Sequence, residues 1–411
     1  MNVVQHKPKN LDALQQIVKG ANENQQHVHI TGGQSKVSMG RFIEFDPSSV
    51  QLNMSNFEGI IEYESEELNI TLKSATLLED VIKATEKHDQ HLPFDPPDFS
   101  RLLDCKAKAT IGGVVATSHH GSRRLSAGAV RDYVLGVRFI NGLGENIMTG
   151  GQVVKNVTGY DLCKMLTGSW GTLGVMHEIT LKTLPKPETA MTWRVQVPSL
   201  EEASKMMCRS IQSCYQGSAI AYLPKGLSKD QSGVFICFEG TQKSIEKRFE
   251  GFLKTLKDNL DYRLVYDQMD AVSSKKLWQY IRDVHAFEAK HDHRDIWRIH
   301  VPFSQTVATV KALREVMIFD YYLDWAGGLI WLAIEPEDNI KKINHMAQTI
   351  RNIVNITANG QANLVRGNIK TRQTIEVFQP LESMVMQLHK RIKASFDPNA
   401  ILNPGRFYSS F

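Results

Sequence analysis

Three glycine-bearing segments crowd the first half of the chain: TGGQS at 31–35, TIGGVVATSHHG at 110–121 and GSWGTLG at 168–174. Each follows or precedes an apolar-patterned stretch, so each sits at the end of a strand or a helix. Glycine there lets several backbone N–H groups converge on one anion, because no Cβ stands in the way. Taken singly, such a loop is more often an ordinary turn. Three of them in one region point instead to a phosphate-rich ligand. The dinucleotide fingerprint needs a strand before its glycines and a helix after them; 168–174 has the reverse order. No GxxxxGK[ST] loop, HExxH or GxSxG run is present.

The flanking elements follow from periodicity. Asn10 caps a helix whose apolar face is Leu11, Leu14, Ile17, Val18 and Ala21, and Val28 and Ile30 begin a strand. Leu68, Ile70 and Leu72 alternate as a strand, while Leu78, Val81, Ile82 and Thr85 return to helical spacing. Prolines break 92–100, and the strands of a predicted hairpin at 133–148 meet at Asn141-Gly142, which tolerates positive φ. A short helix at 161–166 leads through the third glycine loop into a strand carrying Ile179 and Leu181. Pro185 and Pro187 close this region, giving boundaries of 1–187, a second unit at 188–395 with a helix at 200–214 and a strand at 234–238, and a turn-rich tail at 396–411. The fold class expected is α+β, with a two-lobed first domain.

A net charge of +4 over 411 residues gives no footprint for nucleic acid. Five cysteines without CxxC spacing read as reduced thiols and offer no iron–sulfur site. The first residues lack a basic segment followed by an apolar stretch, and no run reaches transmembrane length. A cytoplasmic location is expected, with membrane association only through partners.

Taken together, TGGQS, TIGGVVAT, KNVTGYDLCKMLTGSWGTLG (155–174) and the tail FDPNAILNPGR (396–406) resemble the FAD-binding domain of the vanillyl-alcohol oxidase and p-cresol methylhydroxylase family. The runs at 92–97, 121–145 and 150–161, with WRIHVP at 297–302 and LDWAGG before Trp331, resemble the FAD-binding E subunits of bacterial glycolate oxidases. This resemblance implies FAD bound at Thr31, Gly32, Gly33, Gln34 and Ser35, at Pro97, and at Thr110, Gly112, Gly113, Thr117, Gly121 and Arg123. Gly174, Val175 and Arg406 complete the implied set. It also implies oxidation of glycolate, or another small 2-hydroxy acid, within a complex. The implied partners are a larger FAD-containing catalytic subunit and an iron–sulfur subunit.

Gln34 stands where relatives that bind flavin covalently carry histidine, so the resemblance implies non-covalent FAD; an amide nitrogen is a poor nucleophile. Arg123 and Arg124 either neutralise the pyrophosphate or a substrate carboxylate, or form a solvated surface pair. His119-His120 and His291/His293 lack accompanying metal-ligand residues and read as exposed polar histidines, so no metal site is expected. The histidine-rich HGDGNxH-like element of catalytic relatives is missing, and this predicts weak or no turnover by the chain alone. No catalytic residue is assigned; His285 and His300 are the candidate bases. Arg298, Asp324, Trp325 and Trp331 either face the flavin ring or belong to the core. A self-sufficient flavin oxidase and a non-catalytic assembly subunit stand as alternatives.

Overall fold

Asn10 does cap the first helix: its Oδ1 accepts the Ala13 N–H at 2.9 Å, and Leu14, Val18 and Ala21 enter the core from Leu11–Glu23. The computed structural model describes residues 5–44, 46–151, 160–227, 232–257 and 264–411. The expected 155–174 segment therefore lies partly outside the described residues.

Four sheets organise the described residues, the smallest being the antiparallel pair Gln90–His91 with Leu184–Pro185. A parallel sheet joins Gln5–His6, Val50–Asn53 and Val28–Thr31 in that order. A five-stranded antiparallel sheet runs Ile60–Glu64, Asn69–Lys73, Val175–Lys182, Val134–Ile140, Asn146–Gly150. Its core is built from Ile70, Leu72, Val137, Phe139, Ile179 and Leu181 beneath the helices Leu78–Glu86 and Ile111–Thr117. The hairpin formed by Val134–Ile140 and Asn146–Gly150 has a longer connection than Asn141-Gly142 alone. Asn141 Oδ1 accepts from the Leu143 and Glu145 N–H groups, and the positive φ falls on Gly144 (+80°). Gly142 is small for another reason: a Cβ there would lie 2.3 Å from Asp397 Oδ1.

An eight-stranded antiparallel sheet occupies 189–366, ordered Tyr266–Met269, Thr189–Val195, Gly233–Gly240, Ala219–Leu223, Asp320–Asp324, Leu329–Ile334, Asp295–His300, Gln361–Arg366. Both of its faces are covered, and the two-residue period decides which side chain goes where. Trp297, Ile299, Ile330 and Leu332 pack with residues of the helices Leu200–Gln212, Gln242–Lys257, Thr306–Arg314 and Ile340–Ala358. Ile296, Tyr322, Trp331 and Ala333 take the other face and pack with Met39, Phe99, Leu102 and Trp170 from the first part of the chain. The seam between the sheets is thus a true core.

The tail returns to the first strands. Asn403 Oδ1 accepts from Ile30 N at 2.8 Å, and its Nδ2 donates to the Trp170 carbonyl. Asp397 receives the N–H groups of Ile401 and Leu402 and the ammonium of buried Lys393 at 2.5 Å.

Candidate functional site

The strand Val28–Thr31 delivers the first glycine loop to the wall of a cavity of about 460 Å³. The cavity is lined by Thr31 to Ser38, by Thr110, Gly112, Gly113 and Thr117, by Trp170, Gly171 and Gly174, and by Arg372, Asn403 and Arg406. The structure thus brings together eleven of the fifteen residues expected at the cofactor: Thr31, Gly32, Gly33, Gln34, Ser35, Thr110, Gly112, Gly113, Thr117, Gly174 and Arg406. The other four lie elsewhere. Val175 is fully buried and pairs with Ile140. Pro97 is buried in the 92–100 loop, whose Asp95 and Asp98 meet Arg282 and Asp283 at the end of the helix Ala271–Arg282. Gly121 donates to the Phe94 carbonyl in the same seam. Arg123 is held by Glu239 at 2.9 Å and by His91 Nε2 at 3.1 Å, so it is neither a free cation nor a solvated surface residue.

The loops differ in what they offer an anion. The N–H groups of Gly32, Gly33, Gln34 and Ser35 donate to no acceptor among the described residues. Gln34 adopts φ +59°, the left-handed conformation that bends successive N–H groups toward one point. Gly33 is irreplaceable sterically, since a Cβ would lie 2.1 Å from the Lys108 carbonyl oxygen. In the second loop the corresponding donors are already committed. Ile111 N bonds Thr76 O, Gly112 N bonds Ser74 O, and Gly113 N reaches Thr110 Oγ1. The second loop therefore shapes the wall, and the first supplies the free dipoles.

Charge at the cavity comes from three cations in different situations. Arg406 donates to the carbonyls of Lys36, Val37 and Arg41, and Arg372 to those of Val37, Met39 and Gly40. Both brace the loop. Lys36 makes no hydrogen bond or salt bridge among the described residues, and burial lowers its ammonium to about 8 against a longer-range pull from Asp98. Sequence reasoning missed it, because a lysine just past a glycine loop has nothing to distinguish it from a surface lysine. Free N–H groups, an unpaired ammonium and a largely apolar wall fit a cofactor with an anionic waist and a flat ring system.

The histidines need a correction. His119 is buried, its ring edge-on to Phe99 at 5.3 Å and to Trp170 at 6.3 Å, and burial pushes it well below the ordinary imidazole range. His120 is largely enclosed, stacked on Trp325, and lowered to about 3 by burial. Both are drawn in by the aromatic seam, which the local polar context of HHGSRR hides. His291 and His293 are exposed as expected. No group of three or more potential metal ligands occurs among the described residues, and no described helix is long and apolar enough to cross a membrane. Trp325 and Trp331 are buried, with Arg298 over both rings.

A family model described as FAD binding domain matches residues 4–150. Glycolate oxidase subunit GlcE of Escherichia coli (strain K12) is 30% identical over 400 residues, spanning 97% of each chain. Glycolate oxidase subunit GlcD of Bacillus subtilis (strain 168) is 31% identical over 198 residues, 48% of this chain and 40% of that one. D-lactate dehydrogenase of Anaerostipes hadrus is 28% identical over 214 residues, 52% and 43% of the respective chains. Among solved structures, an alkyldihydroxyacetonephosphate synthase superposes with a TM-score of 0.66 over 98% of this chain and 76% of that one, at 15% identity, a likeness of fold. The near end-to-end match at 30% identity, on top of an FAD-binding domain at 4–150, makes this chain a member of the glycolate oxidase GlcE subunit family.

Proposed function

We propose that the chain is the FAD-binding subunit of a complex that oxidises glycolate, or a closely related small 2-hydroxy acid, to the 2-oxo acid. The observation that carries this reading is the loop of four uncommitted N–H groups at 32–35 beside the unpaired Lys36, on a cavity wall that also holds Gly112, Gly113 and Thr117. Thr31 to Ser35 cradle the pyrophosphate and Lys36 adds the counter-charge; Arg372 and Arg406 hold the loop from behind. Bound FAD supplies the hydride acceptor for the α-carbon of the acid. Gln34 leaves the cofactor non-covalent. The names of the relatives support a multi-subunit assembly; in our reading its other members are a larger FAD-containing subunit and an iron–sulfur subunit that takes the electrons onward. Among the described residues no cysteine cluster could carry them.

The test is to purify the full chain, record its visible spectrum and identify the released flavin, then mix it anaerobically with glycolate and D-lactate, alone and with the larger flavin subunit. FAD on the chain, and bleaching that requires the partner, are expected. A colourless protein with no extractable flavin overturns the reading.

A further inference from the structure

Arg298 is a buried cation whose side chain makes no hydrogen bond or salt bridge among the described residues. It sits on the strand Asp295–His300, directly across from Trp331, on the face turned toward the first domain. Only 9% of its surface is accessible, and no hydrogen bond or ion pair reaches it from the described residues. Its guanidinium lies 5.0 Å from the Trp325 ring centre and 5.9 Å from that of Trp331, and its Nε is enclosed without a partner. Asp324, the opposing charge that acts on it, already spends its oxygens on the Ser122 hydroxyl at 2.7 Å and the Trp325 N–H at 2.8 Å.

Two imidazoles flank the same indole. His120 stacks on Trp325 at 5.0 Å and 14°, and His300 at 5.3 Å and 25°. The Nε2 of each is enclosed and unpartnered. His120 Nδ1 lies 3.0 Å from the Ser118 carbonyl, which can only accept, so the proton sits on Nδ1 and Nε2 presents a lone pair. Arg124 adds a second positive charge felt by both histidines. The platform is held under strain, because Trp325 and Ala326 both adopt φ +51°, a left-handed conformation costly for residues with a Cβ. Buried donors and acceptors are almost always paired. Three orphans around one rigid indole, with surplus positive charge, describe a site built for something that brings a negative charge and a hydroxyl.

We propose that Arg298, His120 and His300 form a binding site for a small 2-hydroxy acid, in which the Arg298 fork takes the carboxylate and the His120 Nε2 lone pair accepts the hydroxyl. The site rests on the 2-hydroxy acid chemistry argued above. It assigns acid recognition to this chain rather than to a partner alone. The arginine fork matches a carboxylate in two parallel hydrogen bonds, and the small accessible fraction of Arg298 favours an acid of a few atoms. The site is distinct from the pyrophosphate loop: none of the three residues lines that cavity, whose Trp170 meets His119, the neighbour of His120, edge-on at 6.3 Å.

The test is calorimetric titration of the purified full chain with oxalate, a carboxylate that cannot be oxidised by hydride loss, and with glycolate. Chloride at the same ionic strength is the control. The wild type is expected to bind oxalate, Arg298→Met to weaken it at least tenfold, and Arg298→Lys, which keeps the charge but not the fork, to weaken it as well. Should Arg298→Met fold poorly, Arg298→Lys and His120→Gln carry the test, the latter weakening glycolate more than oxalate. Absence of oxalate binding at 10 mM by the wild type (a concentration of about that order would detect even a millimolar site), or equal binding by the Arg298 variants, overturns the proposal. The two readings fail separately. A yellow chain that ignores oxalate defeats this site alone, whereas a colourless chain that binds oxalate through Arg298 upholds it and defeats the flavin reading.

Discussion

Trp325 donates its indole N–H to the carbonyl of Gly121 at 3.0 Å, tying the turn after the strand Asp320–Asp324 to the second glycine loop. Both groups are buried, so the bond has no water to replace it. Gly121 is bound to this geometry sterically too, since a Cβ would meet the Asp95 carbonyl oxygen at 2.5 Å. Trp325→Phe keeps the stacking surface but leaves the carbonyl unpaired. The expected loss of stability is about 1–3 kcal/mol, read by chemical denaturation. A change within error would mean the seam does not depend on this bond.

FAD should leave the chain without bond cleavage. Gln34 sits in the cavity wall, and an amide is not a nucleophile toward a flavin methyl group. Acid precipitation should put all yellow colour in the supernatant; colour retained in the washed pellet would contradict the assignment.

The two glycine loops should respond differently to added bulk. At Gly33 a Cβ lies 2.1 Å from Lys108 O, a rigid backbone atom, whereas at Gly113 it lies 3.4 Å from a threonine hydroxyl. Gly33→Ala is therefore expected to lower both flavin content and thermal stability. Gly113→Ala is expected to fold normally, with Gly113→Val needed to disturb the wall. Matched flavin content and melting temperature in Gly33→Ala and wild type would rule this out.

Much of this was legible from sequence because it is local. The cap at Asn10, the helix Leu78–Glu86 and the strand Val175–Lys182 follow from short-range periodicity, and the glycine loops follow from backbone approach. The seam was not legible. His120, Arg298, His300 and Trp325 come from a loop, a strand and a strand end nearly two hundred residues apart in part, and only the antiparallel register brings Arg298 opposite Trp331. Arg123 is positioned by Glu239 of the eight-stranded sheet, a partner more than a hundred residues away that no local pattern pairs with it. Lys36 was missed because unpairing is a property of the packed state, which no motif encodes.

Lys36 should make FAD binding depend on pH in one direction. Burial lowers its ammonium to about 8, against a smaller upward pull from the Asp98 carboxylate. A pyrophosphate beside it favours the charged form and so raises that value in the complex. Binding then takes up a proton above pH 8, and FAD affinity falls as pH rises through that region. Lys36→Met should weaken FAD about tenfold or more at pH 7 and flatten the dependence between pH 7 and 9. Fluorescence titration of apoprotein with FAD across that range reads both, and a wild-type affinity independent of pH would exclude Lys36 as the counter-charge.

Asp324 gives the seam its own pH dependence. Its carboxyl is buried, and that burial pushes it from an ordinary 3.8 up to about 7, against the opposing effects of the Ser122 hydroxyl and the Trp325 N–H. The folded state therefore holds this proton more tightly than the unfolded chain does. The resulting stabilisation is fully present below about pH 4 and is lost as pH rises through about 7. Asp324→Asn keeps the size and the hydrogen-bonding capacity without the titration. Asp295, which burial raises to about 6, titrates in both proteins and cancels in the comparison. The difference in melting temperature, variant minus wild type, should thus move in the variant's favour between pH 5 and pH 8, whatever its sign at pH 5. A difference that stays constant across that interval would mean that Asp324 is already ionised in the folded protein at pH 5, as it is in the unfolded chain, and would overturn the assignment.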